Sequence, residues 1–249
     1  MVSILTEDSN GKKEILGHFY NELTYDIPYN LWRDIINHFK NKDHSVLDIG
    51  CGTGTLTRQL DFKTRYGIDI SETMLEIARK EDENTSYFQA DMKDFSLDQK
   101  FDMIVATVDV LNYLKDEDEF IRTLKNANEH LNDDGVFIFD IHSKYKMKND
   151  FRDMLYTDDT EHVTYIWHAV EGEAPLSVVH EMTYFVKNDD GMYHRQDELY
   201  SQRTYEHKDV IKMIEKAGLY VDTAFSDFDI NHSVTTVCDR IFYIVKKAL

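Results

Sequence analysis

The stretch Val46-Leu-Asp-Ile-Gly-Cys-Gly-Thr-Gly54 runs a short apolar segment into glycines at 50, 52 and 54. Ser45–Ile49 reads as a strand, and the turn after it opens a helix from Thr55, with Leu56, Gln59 and Leu60 at helical spacing. At such a junction a nucleotide-like ligand meets bare backbone and helix N–H groups. Glycine lets the backbone approach that ligand with no Cβ in the way. The next strand, Arg65–Ile70, places Asp69 19 residues beyond Gly50, near the ~20-residue separation that sets an acid against ribose hydroxyls. A carboxylate accepting from two hydroxyls favours a free ribose diol over a phosphorylated one.

Two details select the ligand. The glycine spacing is GxGxG, and Thr55 stands where a dinucleotide GxGxxG loop has its third glycine. Asp48, two residues before the first glycine, would repel a pyrophosphate and suits a ligand carrying an ammonium and a sulfonium. The pattern favours S-adenosylmethionine over NAD.

Outward from the turn, strands alternate with helices. Ser71 is placed to cap a helix over Glu72–Lys80, Thr85–Ala90 and Phe101–Thr107 read as strands, and Asp116–His130 as an amphipathic helix with Phe120, Leu124 and Ala127 inward. Asn132–Gly135 stops that helix, and Val136–Ile141 is a fifth strand. His207–Ala217 is a helix closed by Gly218, and Tyr220–Phe225 and Ile241–Lys246 are the last strands. The expected fold is α/β, a doubly wound, mostly parallel seven-stranded sheet. It is interrupted by alternating, aromatic-rich stretches at 164–168, 178–186 and 192–205, with Asn188-Asp-Asp-Gly191 as a hairpin turn. The expected division is a core of residues 1–150 and 206–249 and an antiparallel β insertion, 151–205, over the site.

Composition bounds the partners. With 28 Lys and Arg against 47 Asp and Glu, the net charge is −19. Nucleic acid is not expected as a partner, because its binding depends on Lys and Arg displacing counterions, and no basic run is present. Cys51 and Cys238 form no CxxC pair, so no metal is expected. No apolar stretch approaches the ~18 residues of a membrane span, and the expected location is cytoplasmic.

Asp48–Gly54, Ile68-Asp-Ile-Ser71 with Met74, Gln89-Ala-Asp-Met92 and Phe101–Thr107 together resemble the class I S-adenosylmethionine-dependent methyltransferases. Within them the chain is similar to small, largely uncharacterised methyltransferases of Gram-positive bacteria, through Tyr20, Leu23, Pro28, Tyr29 and Trp32 and through Phe-Asp-Ile-x-Ser at 139–143. The resemblance implies that Asp69 holds the ribose diol, and that Asp91 and the Met92 N–H read the adenine between Ile70 and Met74. It further implies that Gly50 and Gly52 line the methionine moiety, with Asp48 near its ammonium. Thr107 and Val108 would face the reactive side, and Tyr20 and Trp32 would close over the methionine end. Cys51 fills a variable position of the turn.

Methyl transfer from a sulfonium is an in-line displacement in which a general base is optional. Asp109 and Asn112 after the fourth strand, His142 and Tyr145 after the fifth, and Tyr20 are the eligible catalytic groups, since ligands sit beyond the carboxyl ends of the strands. Of these, only His142 has an ordinary pKa near neutrality. Trp32, with Ile35, Ile36 and Phe39, equally reads as core, and Asp91 as a cap. The leading reading is methyl transfer to a small-molecule acceptor. The alternatives are a protein or RNA acceptor, a non-catalytic S-adenosylmethionine-binding protein, and an NAD-dependent dehydrogenase.

Overall fold

In the computed structural model, which describes residues 15–248, the strand that feeds the glycine turn, β1 (Ser45–Ile49), lies inside a seven-stranded sheet. On one flank run β4 (Phe101–Ala106) and β5 (Leu131–His142), on the other β2 (Thr64–Asp69) and β3 (Thr85–Gln89), all parallel. β11 (Arg240–Lys247) joins β5 antiparallel and pairs with β10 (Leu219–Ser226), giving the order β10-β11-β5-β4-β1-β2-β3. The expected doubly wound, mostly parallel sheet is present. Its order reverses between β1 and β4, the point where such sheets open a crevice.

Alternate residues of the central strands face opposite layers. Leu47, Ile49, Ile104, Ala106, Phe137 and Phe139 pack with Phe120 and Leu124 of α4 (Glu117–His130) and with Val210 and Ile214 of α6 (His207–Lys216). Val46, Met103, Val105, Val136 and Ile138 pack with Trp32, Ile35 and Ile36 of α2 (Tyr29–Phe39). Burial on both faces is why these strands read as predominantly apolar runs with no strict alternation. Each such side chain contributes about 1.5–3 kcal/mol on burial. Ser71 and Gly218 hold the cap positions expected of them, whereas Asp116, read as the first residue of its helix, caps it. Ser71 accepts from the Met74 N–H at 3.2 Å to start α3 (Glu72–Glu81), and Asp116 from Glu119 N–H at 2.9 Å to start α4. Gly218, with φ of 76°, follows α6.

The helix expected from Thr55 is instead a single 3-10 turn, Thr57–Gln59. The Thr57 hydroxyl donates to the buried Asp48 carboxyl, and the Lys63 and Thr64 N–H groups bond the Asp43 and His44 carbonyls. The chain is thus drawn back to the sheet before a second turn forms. Strand β5 begins at Leu131, five residues earlier than expected, through a bulged pairing with Phe101. Elements with no sequence expectation include α1 (Ile15–Leu23), α5 (Lys144–Asn149) and β6 (Met154–Asp159).

A second, antiparallel sheet has the order β6-β7-β8-β9, with β7 (Val163–Glu171), β8 (Ser177–Lys187) and β9 (Tyr193–Arg203). The turn between β8 and β9 is the predicted one, the Gly191 N–H donating to the Asn188 carbonyl at 2.9 Å. Val163, Tyr184 and Val186 pack against Phe19 and Leu23 of α1, while Ala169 and Val178 pack against Met147 of α5 and Phe151 just after it. Cys51 and Cys238 are buried and unpaired. Among the described residues no helix is long and apolar enough to cross a membrane, and no group of three or more His, Cys, Asp or Glu could hold a metal ion.

Candidate active site

The glycine turn after β1 has φ of 71° at Gly50, 53° at Gly52 and 71° at Gly54. The three glycines serve different ends. A Cβ on Gly50 would lie 2.1 Å from Val110 Cγ2, and one on Gly54 would lie 2.3 Å from the Tyr87 hydroxyl. Only at Gly52 is the Cβ side roomy, with Met74 Sδ at 3.5 Å. The expectation that all three glycines open the backbone to a ligand is corrected here. Gly50 and Gly52 line the cavity above the turn, whereas Gly54 faces the protein interior.

That cavity, about 520 Å³, lies at the carboxyl ends of β1, β2 and β4. Tyr20, Asp48, Gly50, Cys51, Gly52, Asp69, Ile70, Met74, Asp91, Met92, Thr107 and Val108 all line it. Trp32 does not. Asp69 Oδ2 accepts from the Gly52 N–H at 2.8 Å and Oδ1 from the Ser71 N–H at 2.9 Å, so this carboxylate also fixes the turn. Burial pushes its pKa up against those bonds. Asp91 accepts from the Lys93 N–H at 2.9 Å and lies 3.3 Å from Lys93 Nζ, which is 3.4 Å from Glu119. Lys93 and Glu119 join the lining without any signal in the sequence. Ile70 keeps 69% of its surface exposed, an apolar side chain at a cavity wall. Asp48 is buried beneath the turn, and burial raises its carboxyl to about 7, opposed by the Thr57 bond and helped by the charge of Asp69. Burial also pushes the Cys51 thiol and the Tyr20 hydroxyl well above their usual ranges, so neither ionises near neutrality.

A second cavity of about 630 Å³ opens beyond β4 and β5. Asp109, His142, Arg240, Trp167, His180 and Gln202 are among its walls, the last three from the second sheet. It shares Ile27, Val108, Asp109, Tyr113 and Tyr200 with the first. The two cavities therefore meet at the end of β4. There Val108 and Asp109 both have left-handed backbone, φ of 58° and 56°. For a β-branched residue this is strained, at about 1–3 kcal/mol, and persists only where the surroundings enforce it.

Asp140 of β5 enforces it. The side chain is fully buried and accepts from the Val108 N–H at 2.9 Å, the Asp109 N–H at 3.2 Å and the Trp32 indole N–H at 2.9 Å. Arg240 pairs with Asp140, reaches Asp109 at 3.1 Å, and stacks 4.9 Å above the Trp32 ring. On its other oxygen Asp109 accepts from Gln202 at 2.9 Å and lies 3.3 Å from His142 Nε2. Burial alone would raise the Asp109 carboxyl, but His142, Arg240 and Gln202 hold it well below the usual carboxylate range. Burial lowers the His142 pKa despite the opposing charge of Asp109, which keeps the ring neutral at pH 7. The Trp167 indole N–H donates to His180 Nδ1 at 2.9 Å. His180 Nε2 therefore carries the proton, donated to Gln202 Oε1 at 3.0 Å. A hydrogen-bonded chain thus runs from the second sheet to Asp109.

Two sequence expectations need correcting. Asn112 is only 1% exposed and lines neither cavity. Its carbonyl accepts from the His142 N–H at 2.9 Å and its amide donates to the Arg203 carbonyl at 2.8 Å. With both ends engaged by backbone, it positions strands and presents nothing to a substrate. Trp32 lies in the core and the second cavity, tethered to Asp140, and does not close the first. Of the remaining catalytic candidates, Asp109 lines both cavities, His142 the second, Tyr20 the first, and Tyr145 neither. Asp140 and Arg240 went unassigned, although a lone charge within or heading a buried apolar strand signals a paired ion. Gln202 and His180 sit in half-exposed alternating strands and give no such signal.

Residues 46–135 match the methyltransferase domain family. A protein of Geobacillus sp. (strain WCH70), provisionally named a methyltransferase, is 35% identical over 246 residues, 94% of this chain and 99% of its own. A crystal structure of an S-adenosylmethionine-dependent methyltransferase from Clostridium acetobutylicum ATCC 824 superposes with a TM-score of 0.83 at 28% identity, covering 93% of this chain and 96% of that one. A Streptomyces venezuelae dTDP-3-amino-3,4,6-trideoxy-alpha-D-glucopyranose N,N-dimethyltransferase is 34% identical over 107 residues, 42% of this chain and 45% of its own. A likeness that runs the whole length of the Geobacillus and Clostridium proteins, through both sheets and the turn between β1 and β2, makes this chain a member of the class I S-adenosylmethionine-dependent methyltransferases.

Proposed function

We propose that the protein transfers the methyl group of S-adenosylmethionine, bound in the first cavity, to a small-molecule acceptor held in the second. The observation that carries this reading is the contact of the two cavities at Val108 and Asp109. The residues fit the donor. A volume of about 520 Å³ lies within the range of ligand pockets, and Gly52 provides a cradle that a side chain would fill. Asp69 would hold the ribose diol, and Asp91 with the Met92 N–H the adenine edge. Ile70 and Met74 would flank the ring, and Asp48 would face the ammonium. The donor supplies an activated methyl on a sulfonium. The chain supplies alignment and exclusion of water, and holding two reactants in line contributes up to ~7–11 kcal/mol. Residues 1–150 and 206–249 would form the donor-binding core and 151–205 the insertion that shapes the acceptor cavity.

A small acceptor is supported by the walls of the second cavity and by the amino-sugar substrate named for the Streptomyces relative. A chain of net charge −19 is a poor partner for RNA. Incubation with methyl-labelled donor and fractionated cell extract tests the reading, with label expected in the small-metabolite fraction. Label confined to protein or RNA would select a macromolecular acceptor. The donor site is tested by calorimetry on Asp69→Ala, which is expected to lose about 1.5–3 kcal/mol of affinity for S-adenosylhomocysteine. Unchanged affinity would overturn the ribose assignment.

A further inference from the structure

The walls of the second cavity bear on which atom of the acceptor receives the methyl group. Four carboxylates line it, Asp26, Asp109, Asp150 and Asp239, against the cations Lys146 and Arg240. Arg240 is already engaged by Asp140 and Asp109, so the cavity holds surplus negative charge. Tyr113, Phe151, Tyr156, Trp167, Tyr184 and Tyr200 supply aromatic rings to the same space. Ring faces attract a cation within about 6 Å. Next to Asp109, His142 is 3% exposed, with Nε2 3.3 Å from the carboxylate. Its Nδ1 is buried with no hydrogen-bond partner among the described residues.

We propose that the reacting atom is an amine nitrogen, which arrives as an ammonium ion in this negatively charged cavity and gives its proton to His142, on the ring edge opposite Asp109, before attacking the methyl group. This rests on the second cavity being a small-molecule acceptor site. In the step, an N–H proton moves to His142 Nδ1 and leaves an imidazolium paired with Asp109. The freed lone pair forms the N–C bond as the C–S bond breaks, and the C–S electrons stay on sulfur. The products are the methylated ammonium, S-adenosylhomocysteine and a proton, which leaves His142 for water.

Other acceptors fit these walls less well. A carboxylate has no proton to lose and would be repelled by Asp109. A hydroxyl holds its proton too strongly, lying far above an ordinary imidazole. An alkylammonium at ~10.4 lies only about four above. The charged and titratable groups around His142 are Asp109 after β4, Arg240 on β11, Lys146 on α5 and His180 on β8. Burial and the nearby cations lower the ring's pKa, so it is the free base when the ammonium binds.

Calorimetry with cyclohexylamine, cyclohexanol and cyclohexanecarboxylate, on protein saturated with S-adenosylhomocysteine at pH 7.5, tests the charge preference on one carbon frame. Cyclohexylamine is expected to bind at least tenfold more tightly than either of the others. In D109N, with folding checked by retained S-adenosylhomocysteine binding, that preference should fall below threefold. Equal or weaker binding of the amine, or a preference that survives D109N, overturns the proposal. In parallel, donor carrying a 13C methyl is incubated with metabolite extract, and the product methyl is assigned by NMR. An N-methyl signal supports the inference. An O-, S- or C-methyl signal on a small molecule overturns it and leaves the proposed function standing, whereas label confined to macromolecules overturns both.

Discussion

Asp48 and Asp69 stand close together in the sequence of events at the turn, yet burial treats them differently. Asp69 keeps two backbone N–H donors, while among the described residues Asp48 accepts from the Thr57 hydroxyl alone and is raised to about 7. The unfolded carboxyl ionises near 3.9. As pH climbs from about 4 to 7, the unfolded state sheds this proton and the folded state keeps it, so the contribution to stability is lost over that window. Asp48→Asn should therefore raise the Tm of the ligand-free protein more at pH 8 than at pH 5, the gain at pH 8 being of the order of 2–4 kcal/mol. Equal gains at both pH values would show that Asp48 is ionised when folded. Near pH 6.5, binding of a donor whose ammonium faces Asp48 should release a proton, visible as a dependence of calorimetric heat on buffer. His142 has the opposite sign. Its lowered pKa places the acid limb of turnover below pH 6.5, and His142→Ala should reduce kcat far more than donor affinity. A limb above 6.5 would mean that Asp109 dominates the ring.

At the scale of elements, the turn after β1 is fixed by packing. Gly191, in the β8–β9 hairpin, has φ of 81° and nothing within 4 Å of a Cβ, so Gly191→Ala should cost only the ~1–2 kcal/mol of left-handed backbone. Gly54→Ala adds a Cβ 2.3 Å from the Tyr87 hydroxyl and should cost clearly more in urea unfolding. Tyr87→Phe in the same chain should restore part of the loss, because the clashing atom is then gone. No rescue would mean that the backbone conformation alone demands glycine. The neighbouring 3-10 turn makes a related point. Leu56, Gln59 and Leu60 have helical spacing, but Thr57 bonding to Asp48 and the short return to β2 override that local preference.

Across the whole molecule, the chain Trp167–His180–Gln202–Asp109 joins the second sheet to the junction of the cavities. Gln202→Leu removes the amide that Asp109 accepts and leaves the donor cavity intact. It should raise the KM for the acceptor and lower kcat, with donor affinity changed less than about threefold. A change confined to thermal stability would reduce Gln202 to a packing residue. The net charge of −19 acts at the same scale, favouring approach of cationic over anionic partners in a salt-dependent way.

Local chemistry determined the strands, the helix cap at Ser71, the hairpin and the glycine turn of the donor cavity, because each depends on residues near one another in sequence. Apolar runs mark strands buried on both faces, Ser71 caps its own helix, and the spacing from Gly50 to Asp69 spans one turn and the strand β2. Strand β6 escaped this reading, since its residues are mostly exposed and are ordered by pairing with β7. The second cavity belongs to tertiary structure alone. Asp109, His142, His180, Gln202 and Arg240 come from the segment after β4 and from β5, β8, β9 and β11, and no spacing links them. Only folding makes Asp140 the acceptor for a strained Val108–Asp109 backbone, because a buried carboxylate must find its donors wherever the packed strands bring them.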